Sequence, residues 1–398
     1  MSNQQSSEQR LREILANRTR TVACDWHLVF KARYGMLECF KSIGETEGFG
    51  EVITQLFTCI TAVDPIISAG FVPTYGDISE DAFSLDAAKL SLSDKTKAVV
   101  MQHTFGMIDI SNSRRLAAQV KAHGALLLED CAHCVGRFAC GDDGLPLADV
   151  IFFSFGVEKI LPTHFGGAVW INPKLKTGRH TSFYEHATAR LTQLPALNKR
   201  LNFAAKTYAT RMRILNHIPV RLSEFLRRLW IRSGSLEIAI TEQEKQGMLP
   251  LVSQKPSEVI AAQVYRSMEA LDEGNRERMV AVQKYARLFE GSSLFSVPNI
   301  AVDQLQPLLR FPLLAPSQKL ADYVVKTLRS RNVWAEHWGR PLLFPGTQHE
   351  EVFRLPDMSI LPVTTKVSER ILCLPTDVTD TQFNALVDVF RTLQQRRS

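Results

Sequence analysis

No stretch of the chain holds eighteen consecutive apolar residues, so a membrane-spanning helix is not expected. Met1 to Arg20 is polar and charged and lacks the basic start and apolar middle of an export leader, so export is not expected either. Cysteine is sparse. Seven residues, an odd number without regular spacing, make no disulfide framework and point to reduced thiols in the cytoplasm. Internal repeats and low-complexity segments are also missing, which sets aside solenoids and disordered tails. Nor is there a strong excess of one charge. The net +6 tolerates anionic partners such as phosphates or nucleotides without requiring one, and no nucleic-acid partner is expected.

With 45% hydrophobic and 22% charged residues, 398 residues can bury a large core and fill two domains. From Glu51 to Pro173 short β-rich runs alternate with helical patterns, the mark of an α/β fold with a mainly parallel sheet flanked by helices. Strands are expected at Glu51 to Leu56, Phe71 to Tyr75, Ala98 to His103, Ala125 to Glu129, Asp149 to Phe155 and Gly167 to Asn172. Helices are expected at Thr61 to Ala69 and at Ser111 to His123, the latter with Leu116, Ala117, Val120 and Ala122 as its apolar stripe. A helical, Arg-rich insertion covers about 176–247. A smaller α+β domain follows, so the expected division is 1–252 and 253–398. Its elements are a helical block from Pro256 to Glu290, strands near Leu308 to Leu314 and Ile371 to Leu374, and helices near Gln318 to Ser330 and Thr381 to Gln394.

Chemistry concentrates between Leu126 and Trp170. Asp130 ends a strand, where a carboxylate can pair with a pyridinium nitrogen and keep it protonated. Lys159 follows the next strand on a turn, placed to form a Schiff base and, once released, to act as a general base. Ser154 and the Gly166-Gly167 pair offer a hydroxyl and close backbone approach, suited to a phosphate. Taken singly, a strand-end Asp is usually a cap and a loop Lys a solvated charge. The joint spacing is what carries information.

Glu129-Asp130-Cys131-Ala132-His133-Cys134-Val135-Gly136, then Phe153-Ser154-Phe155-Gly156-Val157-Glu158-Lys159, then Gly166-Gly167, resembles the DegT/DnrJ/EryC1/StrS family of sugar aminotransferases. These are fold-type I enzymes dependent on pyridoxal 5'-phosphate (PLP). The resemblance covers roughly 50–175, resumes at 253–290 and is fainter beyond. It implies that Asp130 pairs with the pyridine nitrogen, His133 lies by the ring hydroxyl, Ser154 contacts the phosphate and Lys159 carries the Schiff base. Where the family has Ser-Gly-Thr at a helix start to cradle the phosphate, this chain has Ala32-Arg33-Tyr34, so Arg33 and Tyr34 are candidates there. Cys59 stands where the family stacks an aromatic on the ring, and Ser253 where an Asn reaches in from the partner subunit. Family members that dehydrate carry a histidine at the lysine position, so Lys159 favours transamination. The resemblance therefore implies a homodimeric enzyme converting a nucleotide-linked keto sugar to an amino sugar, with glutamate as amino donor. Two alternatives stay open: a PLP enzyme of another reaction type, and a non-catalytic member acting as regulator or scaffold.

Cys131-x-x-Cys134, with Cys140 and His133 nearby, lacks the second paired cluster of a zinc site, and no metal is expected. Asp142-Asp143-Gly144 reads as a turn, and His337 as a packed residue or a substrate-facing one. Between Arg190 and Arg232 ten cations stand against the single acid Glu224. Leu222, Phe225, Leu226 and Leu229 fall at helical spacing there, and the expected arrangement is a cap packed on the large domain or the partner subunit. Peripheral contact with an anionic membrane and binding of a substrate pyrophosphate are the alternatives.

Overall fold

The computed structural model describes residues 5–395. At its centre a seven-stranded sheet is built from β1 (Trp26–Val29), β2 (Glu51–Thr54), β3 (Val72–Tyr75), β4 (Thr96–Gln102), β5 (Leu126–Asp130), β6 (Val150–Ser154) and β7 (Gly167–Ile171). Their spatial order is β1-β7-β6-β5-β4-β2-β3. β2 to β6 run parallel, while β7 is antiparallel to β6 and β1 to β7.

The central strands are apolar on both faces because helices cover both. On one side Leu127, Ile151, Phe153 and Trp170 meet α1 (Ser7–Thr19) and α4 (Ile110–His123). On the other, Leu126, Leu128, Phe152 and Val169 meet α2 (Ala32–Glu47), whose Leu37, Phe40 and Ile43 form its buried stripe. The six strands expected from the sequence form, with ends shifted by one or two residues. β1 is an addition: four residues interrupted by His27 give no strand pattern, and only pairing with β7 defines them. α3 (Asp64–Ser68) is shorter than the sequence suggests, and Ala122 is exposed instead of joining the α4 stripe.

The insertion contains α5 (Thr181–Thr192), α6 (Lys199–His217) and α7 (Val220–Arg232). α5 packs on α2 through Phe183, Ala187 and Leu191, and α6 buries Leu201, Ala204, Tyr208 and Leu215. α7, expected as a cap on the large domain or the partner subunit, rests on the large core through Leu226, Trp230 and Ile231, and none of its residues is fully buried. Then come α8 (Glu258–Glu269), α9 (Leu271–Phe289), α10 (Asn299–Asp303), β8 (Arg310–Leu314), α11 (Gln318–Ser330), α12 (Pro362–Arg370), β9 (Ile371–Pro375) and α13 (Asp380–Gln395). β8 and β9 pair antiparallel over a separate core that includes Tyr285, Phe289, Phe311, Val324, Leu328 and Phe390. α8 buries Ile260, Val264 and Met268 in the first core instead. No helix among the described residues is long and apolar enough to cross a membrane.

One edge of the large sheet gathers the chemistry. Parallel β5 and β6 end there with Asp130 and Ser154, antiparallel β7 begins there opposite Ser154, and β1 ends there beside Gly167. β1 thereby delivers the start of α2 to the same edge. A Cβ on Gly167 would lie 2.6 Å from the Ala32 nitrogen, so the strand and the helix start can meet only through glycine. Gly167→Ala is expected to lower unfolding stability by about 1–3 kcal/mol, read from urea denaturation, because backbone must move to admit the methyl.

Candidate active site

The gathered edge opens into a cavity of about 360 Å³. Arg33, Cys59, Asp130, His133, Ser154 and Lys159 all line it, as the sequence leads one to expect. Tyr34 and Ser253 do not. Tyr34 is one helical step from Arg33, which turns it into the core, where its hydroxyl accepts the Leu251 N–H at 3.1 Å. Ser253 is buried and donates to Glu38 Oε1 at 2.6 Å. The place of Tyr34 corrects the expected cofactor contacts of this chain, whereas the contact expected of Ser253 is to the partner subunit's site.

Asp130 is buried, and its Oδ1 accepts the Ala132 N–H at 2.9 Å. Desolvation raises its pKa, against the pull of that N–H and of the Lys159 charge. A cation placed at its other oxygen would restore the ionised form. The neighbouring His103 adds a lesser pull of the same sign on Asp130 but is hydrogen-bonded to Glu129 at 2.6 Å, and Glu129 also takes the Ala139 N–H at 2.5 Å. His103, Glu129 and Cys131 bring ligand-type atoms within 4.8 Å of one another, but the histidine and carboxylate are already committed to each other.

His133 Nδ1 accepts the Phe105 N–H at 3.1 Å, which leaves Nε2 as its donor. Burial, then the charges of Lys159 and Arg310, hold its pKa well below the ordinary 6.5, so the ring is neutral at pH 7. Lys159 makes no ion pair among the described residues, and burial lowers its pKa from the ordinary 10.5. Its loop is held at both ends. Arg278 donates to the Ile160 carbonyl at 2.9 Å and Thr163 to the Phe155 carbonyl at 2.7 Å. Glu158, just before it, takes a left-handed backbone at φ 58°, an uncommon conformation for a non-glycine residue, retained next to the amine.

In the same cavity, α2 begins without a side-chain cap on Lys31, so its first N–H groups remain available to an anion. Ser154 Oγ lies there too, 3.4 Å from the Gly156 nitrogen. The cations are engaged: Lys31 pairs with Glu237 at 2.6 Å and Arg33 with Glu244. Both acids come from the end of the insertion, and Glu237, Ile238, Ala239 and Ile240 line the cavity.

Several lining residues have no local signal in the sequence. Trp338 and Phe344 supply the aromatic wall that Cys59 cannot, with Trp338 5.1 Å from His133 in an edge-on arrangement. Arg310 reaches in from β8, held by Glu336 and, at 3.4 Å, by Glu158. Gln102 and His164 also line the cavity, and the buried Nδ1 of His164 has no partner. His337 points elsewhere, toward Asp322 at 3.2 Å.

The residues fit PLP. A buried carboxylate with an open oxygen, a neutral imidazole, an unpaired amine and an uncapped helix start match its ring nitrogen, ring oxygen, carbonyl carbon and phosphate in turn. Residues 36–221 match the model of the DegT/DnrJ/EryC1/StrS aminotransferase family. Over those residues, a little under half of its length, the chain is similar to that family. A GDP-perosamine synthase of Vibrio cholerae is 34% identical over 135 residues, which is 33% of this chain and 36% of the relative. The chain thus matches about a third of the length of that relative. Among solved structures, Helicobacter pylori PseC, an aminotransferase involved in pseudoaminic acid biosynthesis, aligns with TM-score 0.70 at 15% identity, over 98% of this chain and 92% of its own. NtdA of Bacillus subtilis, with bound cofactor PMP, aligns with TM-score 0.69 at 14% identity, over 98% and 78%. At such identity the likeness establishes the shared fold, with the DegT/DnrJ/EryC1/StrS motifs at its sheet edge.

Two outcomes follow for cofactor capture. Attack on a carbonyl needs the neutral amine, so the rate at which PLP is captured should rise with pH with a midpoint below 10.5, measured by stopped-flow absorbance. Glu237→Gln frees Lys31 from its carboxylate and should tighten PLP binding several-fold in an absorbance titration.

Proposed function

We propose that this chain is a PLP-dependent aminotransferase that converts a nucleotide-linked keto sugar to an amino sugar, with glutamate as amino donor, in surface polysaccharide or glycoconjugate synthesis. The observation that carries the proposal is the convergence of Lys159, Asp130 and His133 on one cavity. Names of relatives add the sugar: one is a GDP-perosamine synthase, and one structural neighbour serves pseudoaminic acid biosynthesis. The working unit is a homodimer in the cytoplasm. Residues 1–252 form its large domain and 253–398 its small one, with α8 reaching back to the large core.

When bound, PLP supplies a ring that accepts the electron pair left behind as a proton leaves the amine-bearing carbon. Asp130 holds a proton on the ring nitrogen through its open oxygen, while the Ala132 N–H fixes the carboxylate. His133, neutral, donates from Nε2 to the ring oxygen. Ser154 and the start of α2 bind the phosphate. Lys159 is the residue that would hold the cofactor covalently, and its Nζ, for which a lowered pKa suits it, would carry the proton. Trp338 and Phe344, which line the cavity, would restrict water around the bound cofactor.

The purified protein with PLP should show a visible absorption band that bleaches on adding glutamate. A band indifferent to glutamate would point to another donor or reaction, and no band to a non-catalytic protein. Lys159→Ala should lose the band and about 10²–10⁴-fold or more in turnover while remaining folded by circular dichroism. Asp130→Asn should keep cofactor but lose most turnover, and near wild-type rates in either variant would remove the assignment.

A further inference from the structure

Outside the cavity, the most unusual surface is α7. Val220, Leu222, Phe225 and Leu229 are 74%, 47%, 63% and 49% exposed. At 100° per residue, Leu222, Phe225 and Leu229 form one row along the helix. Leu226 and Trp230, on one flank of that row, are partly buried against the large core. Arg221, Arg228 and Arg232 form a row on the other flank, and all three are exposed. The helix therefore rests on the protein along one line and presents, beyond it, an apolar row edged by guanidinium groups.

The charge around this row is lopsided. Ten cations against one acid between Arg190 and Arg232 exceed the +6 of the whole chain, so the remaining residues are net acidic. Arg190 is paired with Glu38 and Glu45, and Arg211 is enclosed between the Phe203 and Trp230 rings. Arg228 reaches Glu224 only at 3.9 Å, with both side chains exposed. Arg221, Arg227 and Arg232 make no ion pair among the described residues.

We infer that α7 docks this protein on an anionic lipid bilayer, with Leu222, Phe225 and Leu229 entering the boundary between headgroups and acyl chains and the arginine row meeting lipid phosphates. Short helices with a large apolar–cationic division lie in the interface in this way. A second copy is a poorer occupant. A twofold contact centred on α7 would set the same arginine row against itself, with one glutamate per chain to offset it. Nucleic acid would engage the cations but leave the apolar row in water. Docking also has a consequence for the site: Glu237 to Ile240, which line the cavity, follow Arg232 by a few residues, so the docked helix and the cavity wall are tied by a short connection.

The test is co-sedimentation of the full chain with vesicles of phosphatidylglycerol and phosphatidylcholine, or of phosphatidylcholine alone, in about 0.15 M salt. Light scattering reports the oligomeric state in parallel. The wild type should partition to the anionic vesicles only. Arg221→Gln with Arg228→Gln should weaken partitioning about tenfold or more, since each cation near such a surface contributes about 1 kcal/mol. Phe225→Ser with Leu229→Ser should abolish it, and neither pair should change the oligomeric state, since a twofold contact here would set the arginine row against itself. Absence of vesicle binding, wild-type binding by the Phe225/Leu229 variant, or a change of oligomeric state in either variant would each overturn the inference, the last by making this face a subunit interface.

Discussion

The structure depends on how four strands terminate. Because β5 and β6 are parallel, Asp130 and Ser154 finish at the same edge of the sheet. Because β7 and then β1 reverse, Gly167 and the Lys31–Arg33 turn arrive at that edge as well. A carboxylate and a helix start are thus brought to one cavity. Burial then sets the chemistry. It costs Asp130 its charge unless a cation stands by it, and it favours the neutral forms of Lys159 and His133.

Much of this was legible in the sequence because it is contiguous. Asp130, His133, Ser154 and Lys159 lie within thirty residues, on strand ends marked by apolar runs and on the turn that follows. Arg33 and Cys59 could be placed by their position relative to the family's pattern. The one error has a local cause: Tyr34 differs from Arg33 by one helical step, and that rotation exchanges cavity for core. Ser253 is held within its own chain by Glu38, a partner more than two hundred residues distant that no local pattern announces.

What could not be read comes from far along the chain. Trp338, Phe344 and Arg310 enter from the smaller sheet's side, and Glu237 and Glu244 from the insertion, so their proximity exists only after folding. The aromatic wall is an instance of relocated function: Cys59 leaves a gap at its own position, and Trp338 fills the cavity from another element. The acidic strap on Lys31 and Arg33 means that a phosphate must share the cradle with two carboxylates, a feature arising from the same insertion that exposes α7.

The central claim is that Lys159 is the amine that bonds the cofactor. A second lysine, Lys31, lines the same cavity, and burial lowers its pKa too, but its amine is engaged by Glu237 at 2.6 Å and by the Ile238 carbonyl at 3.2 Å, whereas Lys159 makes no ion pair among the described residues. Borohydride reduction of the PLP-loaded protein followed by peptide mass mapping separates the two. The account predicts a pyridoxyl label on the peptide containing Lys159. A label on Lys31, or one scattered over surface lysines, would contradict it.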